Sequence, residues 1–131
     1  MMYKDLTYES RMRIRSAVMQ ILLRMGINVD ITLYAKTIYD GRELIHFKSE
    51  EFQTTPVIYR NVSVYGEGFL NDEEDGLCRL RLSLSYRFKY FGGGENGVDI
   101  AHLTFIIRNF DDGRQAAIIE NCDFVINNNE I

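Results

Sequence analysis

The chain has 131 residues, of which 46% are hydrophobic and 26% charged, and a net charge of -4. This length suits one domain (residues 1–131) that buries about two-thirds of its unfolded surface, so no disulfide or metal staple is required. The acidic balance argues against a dedicated nucleic-acid binder, and no apolar run reaches the length of a membrane span.

Residues 7 to 25 read as a helix. Thr7 or Asp5 can cap it by accepting a free N–H of the first turn, and Gly26 stands where a helix stop belongs. Ile14, Val18, Ile21, Leu22 and Met25 recur at helical spacing and form the core stripe. Met12, Met19 and Leu23 form a second stripe. It either widens the core-facing surface or meets another subunit, since Met suits adaptable contacts.

β-rich runs follow. VDITLYAKTIY and RELIHFKSE flank Asp40-Gly41, a strong hairpin signal. Pro56 marks a turn before a long strand at 57–70. The acidic turn NDEEDG, a strand at 77–91, the glycine-rich turn GGGENG, a strand at 98–110, Asp112-Gly113 and a strand at 115–126 complete the pattern. In RLRLSLSYRFKY, leucines and aromatics occupy one parity while Arg, Ser and Lys occupy the other. The expected fold is α+β: one N-terminal helix lying across a long, curled antiparallel meander of five to six strands. The order of elements resembles cystatin-like folds, with NTF2-like cones as the alternative. That likeness transfers no function.

Turn chemistry suggests a register. A two-residue loop at Asp112-Gly113 pairs Ile107 with Ile118, Phe105 with Glu120, Leu103 with Cys122, Thr104 with Asn121 and His102 with Asp123. Closing the glycine-rich turn with Phe91 opposite Val98 sets Phe88 by Ala101, Tyr86 by Leu103 and Leu84 by Phe105. Opposite charges suggest Glu67 beside Arg81, with Gly66 and Gly68 marking a bulge or letting the helix approach closely.

On this register the outer face carries Arg79, Arg81, Arg87, Arg108, His102, Thr104 and Asp123, with Ile100, Ile106 and Ile119 set among them. Isoleucines beside arginines resemble a protein contact surface; a solvated sheet face with a few exposed β-branched residues is the bland alternative. His102 with Asp123 is half of a general-base arrangement, but no nucleophile has a recognisable setting. Glu120 falls on the helix-covered face. There it pairs with Arg11 or Arg15, escapes through a bulge, or anchors a ligand pocket with Phe105 and Tyr86.

Cofactor and metal chemistry lack a motif. A calcium loop counted from Asn71 would need an acid at Leu82. His46 has no partner at ligand spacing and reads as a sheet residue. Cys78 and Cys122 show no CxxC and are expected as free thiols two strands apart. Met1 to Asp5 leads into a charged helix without an apolar leader, so a cytoplasmic protein is expected.

The functional expectation is a non-enzymatic interaction or assembly module that associates with itself, through the outer face, a strand edge or the methionine side of the helix. A small accessory or structural component of a phage or mobile element suits this profile. The alternatives are a small-molecule binder or enzyme with a pocket between helix and sheet, and, more weakly, single-stranded nucleic acid on the basic face.

Overall fold

The computed structural model describes residues 1–38, 40–52, 60–89 and 95–125. Pro56, the strand start expected at 57–59, Phe91 and the glycines at 92–94 lie outside them. A 3₁₀ turn (Tyr3–Asp5) and one helix, α1 (Tyr8–Arg24), precede six strands: β1 (Ile31–Thr37), β2 (Glu43–Ser49), β3 (Arg60–Glu74), β4 (Leu77–Lys89), β5 (Glu95–Asn109) and β6 (Gln115–Phe124). The strands pair in chain order, each antiparallel to the next. This is the expected α+β architecture.

The helix begins and ends on its sequence signals. The Thr7 side chain accepts the Ser10 N–H at 3.1 Å. At the other end Gly26 takes φ +79, its N–H donates to Leu23 O at 3.0 Å, and the Ile27 N–H reaches back to Leu22 O at 3.0 Å. That double bond pattern requires the left-handed conformation glycine adopts freely. Ile14, Val18, Ile21 and Leu22 are buried as the stripe predicts. Each contributes about 1.5–3 kcal/mol through removal of apolar surface from water. Met12 and Met19 are partly buried and Leu23 is exposed, so the second stripe is only half covered.

Of the strands, α1 approaches β1 and β6 most closely, the two edges of the sheet. The sheet therefore curls round the helix. The segment before α1 ties these edges together. The Tyr3 N–H donates to Glu43 Oε1 at 2.9 Å, and the Tyr3 hydroxyl to Leu33 O at 3.3 Å. The Met1 amino group pairs with Asp72. On the far side, Gln115 donates to Asp5 O at 3.0 Å and accepts the Thr7 N–H at 2.9 Å.

The face alternation of the strands holds, and the detailed register differs. Both Asp-Gly turns contain one residue more than a two-residue loop. Ile38 N–H bonds to Arg42 O and Gly41 N–H to Ile38 O; Phe110 N–H bonds to Arg114 O and Gly113 N–H to Phe110 O. Gly41 and Gly113 sit at φ +83 and +87, the left-handed residue that closes such loops. Ile107 consequently pairs with Ala117 and Phe105 with Ile119. Between β4 and β5, Leu84 pairs with Ala101, Leu82 with Leu103 and Leu80 with Phe105, four residues from the expected offset and on the same parity. Glu67 pairs with Ser83, and Phe69 takes the place opposite Arg81.

The described pairings shift register four times; one shift lies between Arg60 and Ser63, and each of the other three inserts one unpaired residue. Glu73 is the extra residue in β3, between the Asp72–Cys78 and Glu74–Leu77 pairs. Ile100 is extra in β5, between Ala101–Leu84 and Asp99–Ser85. Glu120 is extra in β6, between Ile119–Phe105 and Asn121–Thr104. Each bulge resets the face count of its strand.

Gly66 and Gly68 serve the sheet rather than the helix. A Cβ on Gly68 would stand 1.8 Å from Arg81 O on β4, whereas one on Gly66 would meet a Leu84 methyl at 2.6 Å. Curvature brings the two strands together at this point. Gly68→Ala is expected to lower stability by about 3 kcal/mol, the upper end of ordinary overpacking, because backbone must move. Gly66→Ala should lose less, because a side-chain methyl can rotate away. Urea denaturation of both variants checks the order.

Candidate interaction surface

The outer face of the sheet divides into two halves with different chemistry. Over β3–β6 it carries an ion-pair chain. Arg79 Nε lies 2.8 Å from Glu120 Oε2, the other side of the guanidinium pairs with Glu73, and Arg81 reaches Glu73 at 3.1 Å. Both acids stand at bulges, each two residues along from an outer-face residue, Asn71 and Ile118. Hydrogen bonding to Arg79 holds the Glu120 carboxyl below its ordinary range, and the same bonds raise Arg79.

This corrects the placement of Glu120. It belongs to the outer face and is exposed, while Phe105 and Tyr86 are buried in the core between sheet and helix. The three residues do not form a pocket. Arg11 bonds instead to Tyr3 O at 2.9 Å and Arg15 to Ile31 O at 2.8 Å. A depression of about 410 Å³ lies elsewhere, lined by residues 72–77 and Asn109 at the acidic turn.

Two isoleucines also change sides. Ile100, expected outside, is fully buried, because its bulge turns it inward beside Ala101. Ile119 pairs with Phe105 and so lies on the helix side of the edge strand. Ile118 takes its place outside, opposite Ile106. The remaining expected residues keep their side. Arg81, Arg87, His102, Arg108 and Asp123 are exposed, and Thr104 and Ile106 half-buried. His102 pairs with Asp123 in register. Its Nδ1, however, lies 3.2 Å from Ser83 Oγ, and Asp123 accepts from Asn121 Nδ2 at 2.8 Å. The two side chains are held by different neighbours.

The other half of the outer face, over β1–β4, contains a cluster that sequence reasoning missed. His46 is 4% exposed. Its ring stacks on Tyr34 with centroids 5.1 Å apart. Its Nδ1 is 2.5 Å from the Tyr65 hydroxyl, which also lies 3.3 Å from Glu67 Oε2. The Arg87 guanidinium covers the Tyr65 ring at 3.8 Å, a cation–π distance. His46 Nε2 is buried with no hydrogen-bond partner among the described residues. The parity of ELIHFKS already set His46 outside; its burial required the flanking aromatics, which are far apart in sequence.

Of the eight large apolar residues exposed among the described ones, four lie along one edge, while Tyr8 and Leu23 lie on α1. Ile118 is 57% exposed, Ile119 42%, Phe124 47% and Val125 49%, all within or just beyond β6. Cys122, on the same strand, is half-buried, and Cys78 is buried on β4. Both are free thiols as expected. Burial pushes the Cys78 thiol up to about 11, so it is a protonated core group at neutral pH.

Among the described residues no cluster of His, Cys, Asp and Glu could hold a metal ion, and no helix is long and apolar enough to cross a membrane. Comparison with protein-family models, curated proteins and solved structures finds no match to this chain.

Burial lowers the His46 pKa below its ordinary value; the nearby Glu67 charge opposes this, while Lys36 and Arg87 reinforce it. The unfolded chain then binds a proton near pH 6.5 that the folded chain resists. Stability from this residue is complete above that pH and is lost as pH falls toward the lowered folded value. His46→Phe keeps the stack on Tyr34 and removes the titration. Its urea midpoint should change less between pH 7.5 and pH 5.5 than that of the wild type.

Proposed function

We propose that this chain is a non-enzymatic interaction or assembly module that associates with itself. The observation that carries this reading is the crowding of exposed Ile118, Ile119, Phe124 and Val125 at the sheet edge. Apolar surface exposed along a strand edge favours a partner over water.

The charge arrangement supports the same reading. Arg79 and Arg81 are matched internally by Glu73 and Glu120, which leaves less positive charge for a phosphate backbone than the sequence alone suggests. Glu120 on the outer face removes the polar anchor of a helix–sheet pocket. His102, bonded to Ser83, and Asp123, bonded to Asn121, do not form a catalytic pair. A role in building or joining a larger assembly, including that of a phage or mobile element, is compatible with a small domain of this kind.

Light scattering across a concentration series tests the proposal. The wild type should show a mass above that of one chain, and Ile118→Asp should weaken association at least tenfold by placing a charge in the contact. A wild type that stays monomeric at every concentration ends this reading.

A further inference from the structure

His46 is enclosed in a way that suits only its neutral form. The ring is 4% exposed, stacked on Tyr34 of β1 and flanked edge-on by Tyr65 of β3. A neutral imidazole carries one N–H, and the hydrogen bonds around it decide which nitrogen holds the proton. The Tyr65 hydroxyl has a single hydrogen, which it donates to Glu67 Oε2 at 3.3 Å. Toward His46 Nδ1, 2.5 Å away, the hydroxyl is therefore the acceptor, and the imidazole proton sits on Nδ1. A directed chain results, from His46 to Tyr65 to Glu67. Nε2 is left as a bare lone pair, buried and without a partner among the described residues. Folded proteins tolerate an under-used buried acceptor more often than an orphaned N–H.

A second proton has to enter at Nε2. It creates a charged donor with no acceptor, and burying an unpaired charge is costly. The neighbours add to that cost. The charged groups on the same face around the ring are Lys36 on β1, Lys48 on β2, Glu67 on β3 and Arg87 on β4, three cations against one carboxylate. Burial, reinforced by Lys36 and Arg87, holds the ring's pKa below its ordinary value.

We infer that His46 is an acid-sensitive latch on the outer face: once protonated, its imidazole leaves the Tyr34 stack for water, and Tyr34 and Tyr65 are uncovered while the sheet beneath stays closed. Two observations confine the opening to the outer layer. Ile45 and Phe47, on either side of His46, are fully buried on the opposite face and hold the β2 backbone. Tyr34 belongs to the edge strand β1 and is itself half-buried, so its ring can yield without disturbing the core. The latch is independent of the self-association proposed above.

Histidine NMR tests it. The chain has two histidines, and His102→Asn, at an exposed position, leaves His46 alone in the spectrum. At pH 7.5 the imidazole nitrogen shifts should place the proton on Nδ1, and His46 should show nuclear Overhauser contacts with Tyr34. On acidification His46 should titrate below the ordinary value of about 6.5. Its contacts with Tyr34 should vanish in step, while the amides of α1 and β4 keep their native shifts. Glu67→Gln keeps an acceptor for Tyr65 and removes the nearby negative charge, so it should move the transition to lower pH. A proton on Nε2 at pH 7.5, a protonated His46 that keeps its Tyr34 contacts, or a transition that Glu67→Gln moves to higher pH overturns the inference. Loss of all native signals together with the His46 titration also overturns it, since the histidine then governs the whole fold rather than a latch. If His102→Asn fails to fold, the wild type gives the same readout, with His46→Phe identifying the His46 signals by their absence.

Discussion

Each strand of this protein commits every residue to a face by simple alternation, and only a bulge can revise that commitment. The rest of the structure depends on this constraint. From Cys78 to Phe88 alternation in β4 is unbroken, and its leucines and aromatics floor the helix. The other long strands break the count, β3 twice and β5 and β6 once each among the described pairings. Ile100 is turned into the core, and Glu73 and Glu120 are set beside Arg79. A sheet of long strands must twist and coil, and bulges concentrate that bending. Here the ion-pair chain runs between two of these bulges.

The two halves of the outer face stabilise the sheet by different means. Over β1–β4 Tyr34 stacked on His46 and Tyr65 set edge-on to it, with Arg87 over Tyr65, cover a histidine almost completely. Over β3–β6 exposed charges alternate in sign. Exposed ion pairs contribute little individually, since water competes for both partners. Here they match Arg79 and Arg81 with Glu73 and Glu120, while Arg87 lies over the Tyr65 ring.

The helix caps, the core stripe and the parity of β4 were readable in the sequence because each depends on residues close together in the chain. The offset between strands was not. It depends on loop length, and an Asp-Gly pair suits a two-residue loop as well as one with an additional residue before a left-handed glycine. Leu103–Cys122 and His102–Asp123 nevertheless pair as expected, because the longer turn and the Glu120 bulge cancel along β6. Before the bulge they do not cancel, which is why Ile119 and Ile118 exchange faces. Glu120 offered a visible signal: a carboxylate at an apolar parity is a reason to suspect a bulge. Ile100 offered none, since isoleucine is equally at home inside a core or on a β surface. His46 was correctly read as a sheet residue, yet its enclosure depends on Tyr34 and Tyr65, which only the three-dimensional pairing brings near.

The bonds from Gln115 to Asp5 and Thr7 join the first few residues to the last strand. A ribosome therefore delivers the amphipathic helix long before it delivers its seat. During synthesis the apolar stripe of α1 has no complete floor, and β5 lacks its outer neighbour until β6 emerges. Closure over such sequence distances is entropically slow and leaves sticky intermediates. Nascent chains of this protein should depend on chaperone protection until the final hairpin leaves the exit tunnel.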